Sequence, residues 1–206
     1  SVRLMSIVAR PDERDYLTRA YPPMDWSTEP LAPAGLRVAL QLDAGSGLEV
    51  EPETLAIIER AAQLFADAGA VVEPLAPFVG PEVLDGLVGF WRSRSYADFE
   101  MLSEADRALV LPFIVDWCVA GANFPAAETI CNRNQIDEMA RLTRAATAPY
   151  DLVLSPVSPV AAFAAEDPMP ITDPLETMGH ISFTVPYNMA GQPALSSGAG
   201  IQADGR

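Results

Sequence analysis

A strand–helix–strand pattern in residues 36–75 constrains the fold of this chain more than any other feature. Residues 36–42, Leu-Arg-Val-Ala-Leu-Gln-Leu, predict a strand, and residues 70–75 predict a second one. Between them, residues 52–68 carry apolar side chains at helical spacing, and Gly69 stands where a left-handed helix cap is expected. Two strands joined by a crossover helix pair in parallel, so this pattern predicts an α/β fold.

The rest of the chain is mainly helical. We predict helices at 82–101, 104–120 and 126–148, a short strand at 150–154, a broken helix at 175–190 and the beginning of a strand at 194–196. Residues 1–9 have helical spacing without a clear capping residue in front of them, and residues 10–35 predict a loop or linker that wraps over the domain. The chain closes on a turn at 203–206, so we expect both ends to be cuts within a larger fold.

The charge of the chain limits its partners. Twenty-eight acidic residues face 13 basic ones, all of them arginine, and the formal net charge is −15. Such a surface repels phosphate backbones and anionic lipid, so we expect neither nucleic acid nor a membrane as a partner. Cys118 and Cys131 are isolated thiols, which predicts no metal site and a location in the reducing cytoplasm. No signal peptide opens the sequence, and the apolar stretch at 108–122 is too short to span a bilayer.

No complete catalytic set can be assembled from the residues alone. His180 is the single histidine, and its neighbours do not form the strand–elbow–helix context of a serine nucleophile. An α/β enzyme that uses His180 therefore stays open as an alternative. Gly45 and Gly47 follow the first strand, but a lone Gly-x-Gly is typical of any tight loop.

Three segments, in order, resemble the amidase signature family of serine amidohydrolases. The first is Val-Ala-Arg-Pro-Asp-Glu-Arg-Asp at 8–15, and the second runs from the strand at 36–42 through Val-Glu-Pro-Glu at 50–53 to Gly69. The third and most specific begins as Tyr-Asp-Leu-Val-Leu-Ser-Pro at 150–156. It continues as Phe-Thr-Val-Pro-Tyr-Asn-Met-Ala-Gly-Gln-Pro-Ala at 183–194. The resemblance covers essentially the whole chain and identifies it as the C-terminal portion of such a protein.

The resemblance implies a fold and a mechanism. The fold is an α/β one, a mixed β-sheet covered by helices on both faces. The family's mechanism uses a nucleophilic serine, a bridging serine with a cis peptide bond and a lysine as the base, with backbone N–H groups forming the oxyanion hole. This sequence contains no lysine and no Gly-Gly-Ser-Ser-Gly-Gly run. We therefore assign no catalytic residue and no metal or other cofactor to it, and the Ser196-Ser197-Gly198 segment does not match the catalytic motif.

The resemblance also implies a substrate wall. Met178, Ile181 and Val185 are spaced as one helix face on the acyl side of the family's pocket, although ordinary core packing would explain the same spacing. Relatives among the tRNA amidotransferases carry a carboxylate where Ile181 stands. That departure favours a hydrolase for small or apolar amides over one that handles ammonia.

The sequence thus predicts a single incomplete domain over 1–206, belonging to a cytoplasmic amidase that hydrolyses carboxylic amides through an acyl-enzyme. This chain alone is expected to be inactive, and its partner is a small-molecule amide. A non-catalytic binding or assembly subunit with an amidase-like fold stays open as the alternative, as does a homodimer.

Overall fold

The computed structural model describes residues 2–14, 25–26 and 31–202. These fall into two compact units, Ser1–Pro33 and Ala34–Arg206. In the first unit, helix α1 spans Val2–Val8, as the spacing of residues 1–9 predicts. Much of the predicted loop at 10–35, and the predicted turn at 203–206, lie outside the described residues. The described parts of 10–35 contain no helix or strand, and the division of the chain into domains stays a prediction.

A three-stranded parallel sheet forms the centre of the second unit. Strand β1 spans Arg37–Leu40, β2 spans Val71–Pro74 and β3 spans Leu152–Leu154, in the order β2-β1-β3. Both pairings are parallel, with Val38 of β1 opposite Val72 on one side and Leu152 on the other. The α/β class predicted from residues 36–75 is confirmed, and all the strand pairs among the described residues are parallel.

Helix α2, Pro52–Asp67, makes the crossover between β1 and β2. It begins at a proline, whose missing N–H would be unpaired in the first turn anyway. It buries Ile58 and Ala62, two of the residues on its apolar stripe. The chain leaves it through Gly69, whose φ of +92° is the left-handed geometry that a glycine adopts without strain.

A helical layer follows β2. Helix α3 spans Pro81–Glu100 and packs against α6, Ala126–Thr147. Two groups of buried side chains hold the layer together. The first core cluster consists of Val79, Val83, Leu84, Leu87, Met139 and Val185, and the second core cluster of Val88, Trp117, Cys118 and Met178.

The predicted helix at 104–120 is wrong as one continuous element. It divides into α4, Glu104–Arg107, and α5, Pro112–Val119, which continues as a 3₁₀ turn at Ala120–Asn123. Pro112 explains the division, because it has no N–H to donate and disfavours helical geometry in the residue before it.

The C-terminal elements are also shorter than the pattern predicts. A 3₁₀ turn at Gly179–Ile181 and helix α7, Val185–Ala190, replace the broken helix at 175–190. Residues 194–196 form no strand in the described part of the chain, where Leu195 is 89% exposed. Nothing among the described residues pairs with this segment, and a strand forms only where it has a partner.

None of the described helices is both long and apolar enough to cross a membrane. Within the same residues, no three side chains of the histidine, cysteine, aspartate and glutamate types converge as ligands for a metal ion.

Candidate functional site

A concavity opens at the carboxyl ends of β1 and β2. The loops that leave the two strands form one side of it, and the segment that enters α7 forms the other. Ligands of open α/β sheets bind at this edge, because the connecting loops diverge there. The cavity that it encloses measures about 10 Å³, and the rest of the concavity is open to solvent. It is lined by Ala44, Ser46, Val79, Gly80, Leu84, Met139, Ser182, Val185 and Pro186.

The loop after β1 is built to place Ser46. Asp43 Oδ1 accepts a hydrogen bond from Gly45 N at 2.8 Å, which closes a tight turn. Gly45 has a φ of +78°, and a Cβ atom there would lie 2.7 Å from the backbone oxygen of Val79. The loop therefore lies directly against the loop after β2, and only a glycine fits between them.

Two serine hydroxyls meet across the concavity. Ser182 Oγ donates to Ser46 Oγ at 3.2 Å, and Ser46 Oγ also accepts from Leu48 N at 3.4 Å. Ser182 is 5% exposed, so this pair joins the segment before α7 to the loop after β1. The next residue along the first segment, Phe183, is 2% exposed and anchors it in the interior.

The lining of the concavity is mostly apolar and carries no charge. None of its nine residues has a titratable side chain, and the remaining contacts are mostly apolar. A serine hydroxyl becomes a nucleophile only beside a proton acceptor. The hydrogen bonds of Ser46 and Ser182 are to each other and to backbone, so no described side chain acts as a general base for either hydroxyl.

The three predicted wall residues lie close together but not on one helix. Met178 precedes the 3₁₀ turn and is buried in the second core cluster, while Val185 is the first residue of α7 and is buried in the first. Ile181 ends the turn, is half-buried and packs against both clusters. Of the three, Val185 alone lines the concavity. The prediction that the three residues share one helix face is wrong, because the 3₁₀ turn ends at Ile181 and a separate helix begins at Val185. A substrate-binding role for these residues stays a prediction.

His180 does not form a catalytic pair with any described residue. It lies in the 3₁₀ turn, half-buried, and its Nδ1 atom is buried without a hydrogen-bond partner in the described part of the chain. Burial lowers the pKa of His180, because the charged imidazolium is poorly solvated there. A triad would require a carboxylate on one ring nitrogen and a nucleophile on the other.

Gln41 and Tyr187 form a buried polar pair that sequence reasoning missed. Tyr187 Oη donates to Gln41 Oε1 at 2.7 Å, and Gln41 is 2% exposed. The Tyr187 ring meets Phe78 edge to face, with centroids 6.4 Å apart. Burial raises the pKa of Tyr187 to about 12. The signal was Gln41 directly after the apolar residues Val38, Ala39 and Leu40, a position where a buried polar side chain needs a partner.

The acid of the Val-Glu-Pro-Glu motif ties the segment after β3 to α2. Glu51 N donates to Pro159 O at 3.0 Å, and Glu51 Oε1 accepts from Ala161 N at 3.3 Å. Its other carboxylate oxygen accepts from Gln202 Nε2 at 3.2 Å. Glu51 thus fixes the course of two segments that follow the sheet.

The Gly-Gln-Pro-Ala end of the most specific motif closes α7. Gly191 has a φ of +66° at the left-handed cap position, and Gln192 N donates to Tyr187 O at 3.0 Å. Arg144 of α6 donates to Ala190 O at 2.7 Å, so the helix end is held by a cation. These motif residues therefore stabilise the end of α7 and do not line the concavity.

Parallel strands, covering helices and a concavity at the carboxyl edge define an open-sheet α/β protein of the kind that binds ligands at this edge. Within that class, the chain belongs to the amidase family: residues 1–206 match the family model described as Amidase. The resemblance inferred from the ordered motifs is confirmed.

Individual proteins agree with this assignment. A segment is 49% identical over 55 residues to a glutamyl-tRNA(Gln) amidotransferase subunit from Gluconobacter oxydans (strain 621H), covering 27% of this chain and 11% of that protein. The solved structure of 6-aminohexanoate cyclic dimer hydrolase with its substrate aligns with a TM-score of 0.75 and 20% sequence identity. The alignment covers 99% of this chain and 46% of that protein's chain. The solved structure of a bacterial aryl acylamidase of the amidase signature family aligns with a TM-score of 0.62 and 18% sequence identity. That alignment covers 78% of this chain and 36% of the acylamidase chain. The chain thus spans less than half of each relative, and the two structures support its fold.

Proposed function

We propose that the protein to which this chain belongs hydrolyses carboxylic amides through an acyl-enzyme, and that this chain supplies one wall of the substrate pocket. The match to the amidase family over residues 1–206 supports an amide substrate. The single structural observation that carries the role of the chain is the character of the concavity: apolar residues and one serine pair, at the edge of the sheet where ligands bind.

The wall favours small or apolar amides. Ile181 is half-buried between the two core clusters, at the position where the resemblance implies a carboxylate in tRNA-amidotransferase relatives. An isoleucine presents no charge to a substrate ammonium or to ammonia, and it gains free energy by covering apolar surface. The 6-aminohexanoate cyclic dimer hydrolase and the aryl acylamidase, both similar in fold, are named for amides of this kind.

The same proposal includes inactivity of the 206-residue chain by itself. The amidase signature mechanism relies on a lysine, and this sequence has none. We further propose a cytoplasmic location, supported by two cysteines that form no disulfide, Cys118 buried and Cys131 exposed. The small-molecule amide is the one partner proposed, and the net charge of −15 argues against nucleic acid and anionic membranes.

The test compares the 206-residue chain with the full-length protein encoded by its gene. Both are assayed against an anilide, an aliphatic amide and glutamine, by release of the amine or ammonia. We expect the full-length protein to hydrolyse the first two and the 206-residue chain to hydrolyse none. Specific hydrolysis by the 206-residue chain would contradict the proposal that the catalytic residues lie outside it. A full-length protein that is inactive on every amide would favour the alternative, a non-catalytic binding or assembly subunit.

A substitution of the wall tests the substrate class. Ile181→Asp in the full-length protein should lower kcat/KM for the anilide by about tenfold or more, because it places a carboxylate between the two core clusters, next to the segment that carries Ser182 and Val185 to the concavity. Ile181→Val is the matched control, since it removes one methylene group and keeps the surface apolar. Equal activity of both variants on the anilide would contradict the role of Ile181.

A further inference from the structure

We propose that Asp85 and Arg92, two residues of α3 outside the concavity, are positioning residues that hold the substrate wall in place. We call Asp85, Arg92 and the segment 174–177 that they bind the α3 clasp. This inference rests on the proposed function, because it concerns the residues that shape the same pocket.

Arg92 holds two backbone carbonyl groups of the segment with one nitrogen. Its terminal Nη2 atom donates to Pro174 O at 2.9 Å and to Glu176 O at 3.1 Å. These acceptors lie more than 80 positions further along the chain, so the contact fixes tertiary geometry. The planar guanidinium is suited to such a role, because its donors point in fixed directions.

Asp85 holds the same segment two turns earlier on the helix. Its Oδ1 atom accepts a hydrogen bond from Thr177 Oγ1. Positions 85 and 92 are seven residues apart and therefore share one face of α3. Val88 lies between them on that face and packs with Met178 in the second core cluster. Two polar contacts thus flank one apolar contact, and together they set the register of the segment against α3.

The chain that follows the segment, from Gly179 to Ser182, is held by the loop after β1. A Cβ atom on Gly179 would lie 2.6 Å from Leu48 Cδ1, so backbone and loop are in close contact there. Ser182 then donates to Ser46, as described above. Ile181 lies between these two anchors, and its position is therefore determined jointly by the α3 clasp and by the serine pair.

The use of a charged residue at this place favours a positioning role over simple packing. Arg92 is half-buried, and desolvation lowers its pKa while the carboxylates of Asp173 and Asp85 act in the opposite direction. Desolvating a guanidinium costs free energy that an apolar side chain of similar size would not require. What the arginine provides in return is directional bonding to two carbonyl groups, which fixes a loop that has no regular secondary structure of its own.

The first measurement uses the kinetics of the full-length protein. Arg92→Gln should raise KM for the anilide by about tenfold and change kcat by less than about twofold, because the wall is displaced while the reacting groups are not. Arg92→Lys should restore part of the affinity, since an ammonium can still donate to both carbonyl groups. Arg94→Gln is the matched control: Arg94 is on the same helix, exposed, and its ion pair with Asp98 is 4.0 Å long.

Thr177→Val provides a milder variant that keeps the shape of the side chain and removes its hydroxyl. It should raise KM by about threefold with kcat unchanged. An unchanged KM in both Arg92→Gln and Thr177→Val overturns the proposal, as does a loss confined to kcat.

The second measurement needs no substrate. Amide hydrogen exchange in the full-length protein should become faster at residues 175–182 in Arg92→Gln, with no change in β1 and β2 or in the Arg94→Gln control. Unchanged exchange overturns the clasp whatever the kinetics show. If the wild-type full-length protein hydrolyses no amide, the proposed function fails, and faster exchange then still supports the clasp as the element that orders the segment.

Discussion

The two ends of the parallel sheet are built in different ways. At the amino end, the strands are tied by charged groups that contact backbone. Asp151 Oδ2 accepts from Arg37 N at 2.8 Å, and Asp151 N donates to Arg37 O at 2.9 Å. The guanidinium of Arg37 pairs with Glu73 at 2.8 Å and lies 5.1 Å from the ring centroid of Tyr150. The Tyr-Asp pair of the third motif thus aligns β3 with β1.

At the carboxyl end, small and apolar residues surround an open concavity. Two pairs of neutral polar groups lie here, Ser46 with Ser182 and Tyr187 with Gln41, while the carboxylate of Asp43 accepts from Gly45 N in the exposed loop after β1. Neutral hydrogen bonds of this kind fix orientation without placing charge near a ligand. The comparison teaches that motif residues at the amino end align the strands through charged groups, whereas those at the carboxyl end pack and hydrogen-bond around a concavity without placing charge in its lining.

The largest effect on stability is expected at Phe183, beneath the carboxyl end. Replacing this 2% exposed side chain by alanine removes buried apolar surface and leaves a cavity. We expect Phe183→Ala to lower the free energy of unfolding by about 3–5 kcal/mol, measured by urea denaturation of the 206-residue chain. The matched control is Leu195→Ala, because Leu195 is 89% exposed. Similar losses in both variants would contradict the buried anchor.

The loop after β1 offers a sharper comparison between two glycines. Gly45 and Gly47 have φ values of +78° and +80°, so alanine is strained at both. A Cβ atom at Gly45 would also lie 2.7 Å from Val79 O, whereas none of the described atoms lies within 4 Å at Gly47. We expect losses of about 2–4 kcal/mol for Gly45→Ala and about 1 kcal/mol for Gly47→Ala in the same assay. Equal losses would show that the two loops are not in contact.

The buried pair at the carboxyl end makes stability depend on alkaline pH. The pKa of Tyr187 is about 12 in the folded chain, above its ordinary value of 10.0, because burial disfavours the phenolate. A raised pKa gives a stabilising contribution that is complete below the unfolded value and is lost as the pH rises from about 10 towards about 12. Tyr187→Phe should cost about 1–2 kcal/mol near neutral pH, because Gln41 Oε1 loses its donor.

The same variant removes this part of the pH dependence. Urea midpoints of wild type and Tyr187→Phe, measured between about pH 8 and about pH 11, should therefore converge as the pH rises. A difference between the two that stays constant over this range would show that Tyr187 ionises equally in the folded and unfolded chains.

Much of the fold could be predicted from the sequence, because its signals are local. The crossover helix is indicated by Pro52, its apolar stripe and Gly69, and the structure has it at Pro52–Asp67. The prediction of one helix at 104–120 is wrong because of Pro112. The apolar periodicity continues on both sides of this residue, but proline starts a new helix there.

The site was harder to predict because it depends on contacts between distant segments. Met178, Ile181 and Val185 have helical spacing, yet the chain turns between them, and two of the three are buried in different clusters. The partners of Gln41 and Arg92 lie more than 80 residues away along the chain, and no periodicity reports such a distance. The family motifs indicate the part of the chain that forms the site, because they are shared by proteins of the same fold. The hydrogen bonds that shape the site are visible only in the three-dimensional structure.

The smallest effect is expected at the amino end, and it separates stability from binding. Asp151→Ala removes the acceptor of Arg37 N, and because the aspartate is exposed we expect a loss of only about 1 kcal/mol in the free energy of unfolding. Asp151→Asn keeps a side-chain oxygen and should lose less. Asp98→Ala removes a long, exposed ion pair and should cost about 0.3 kcal/mol or less. Because Asp151 lies at the opposite end of β3 from the concavity, KM of the full-length protein should stay at the wild-type value in Asp151→Ala. A rise in KM comparable to that of Arg92→Gln would mean that the two ends of the sheet are coupled, and the division of roles between them would then be wrong.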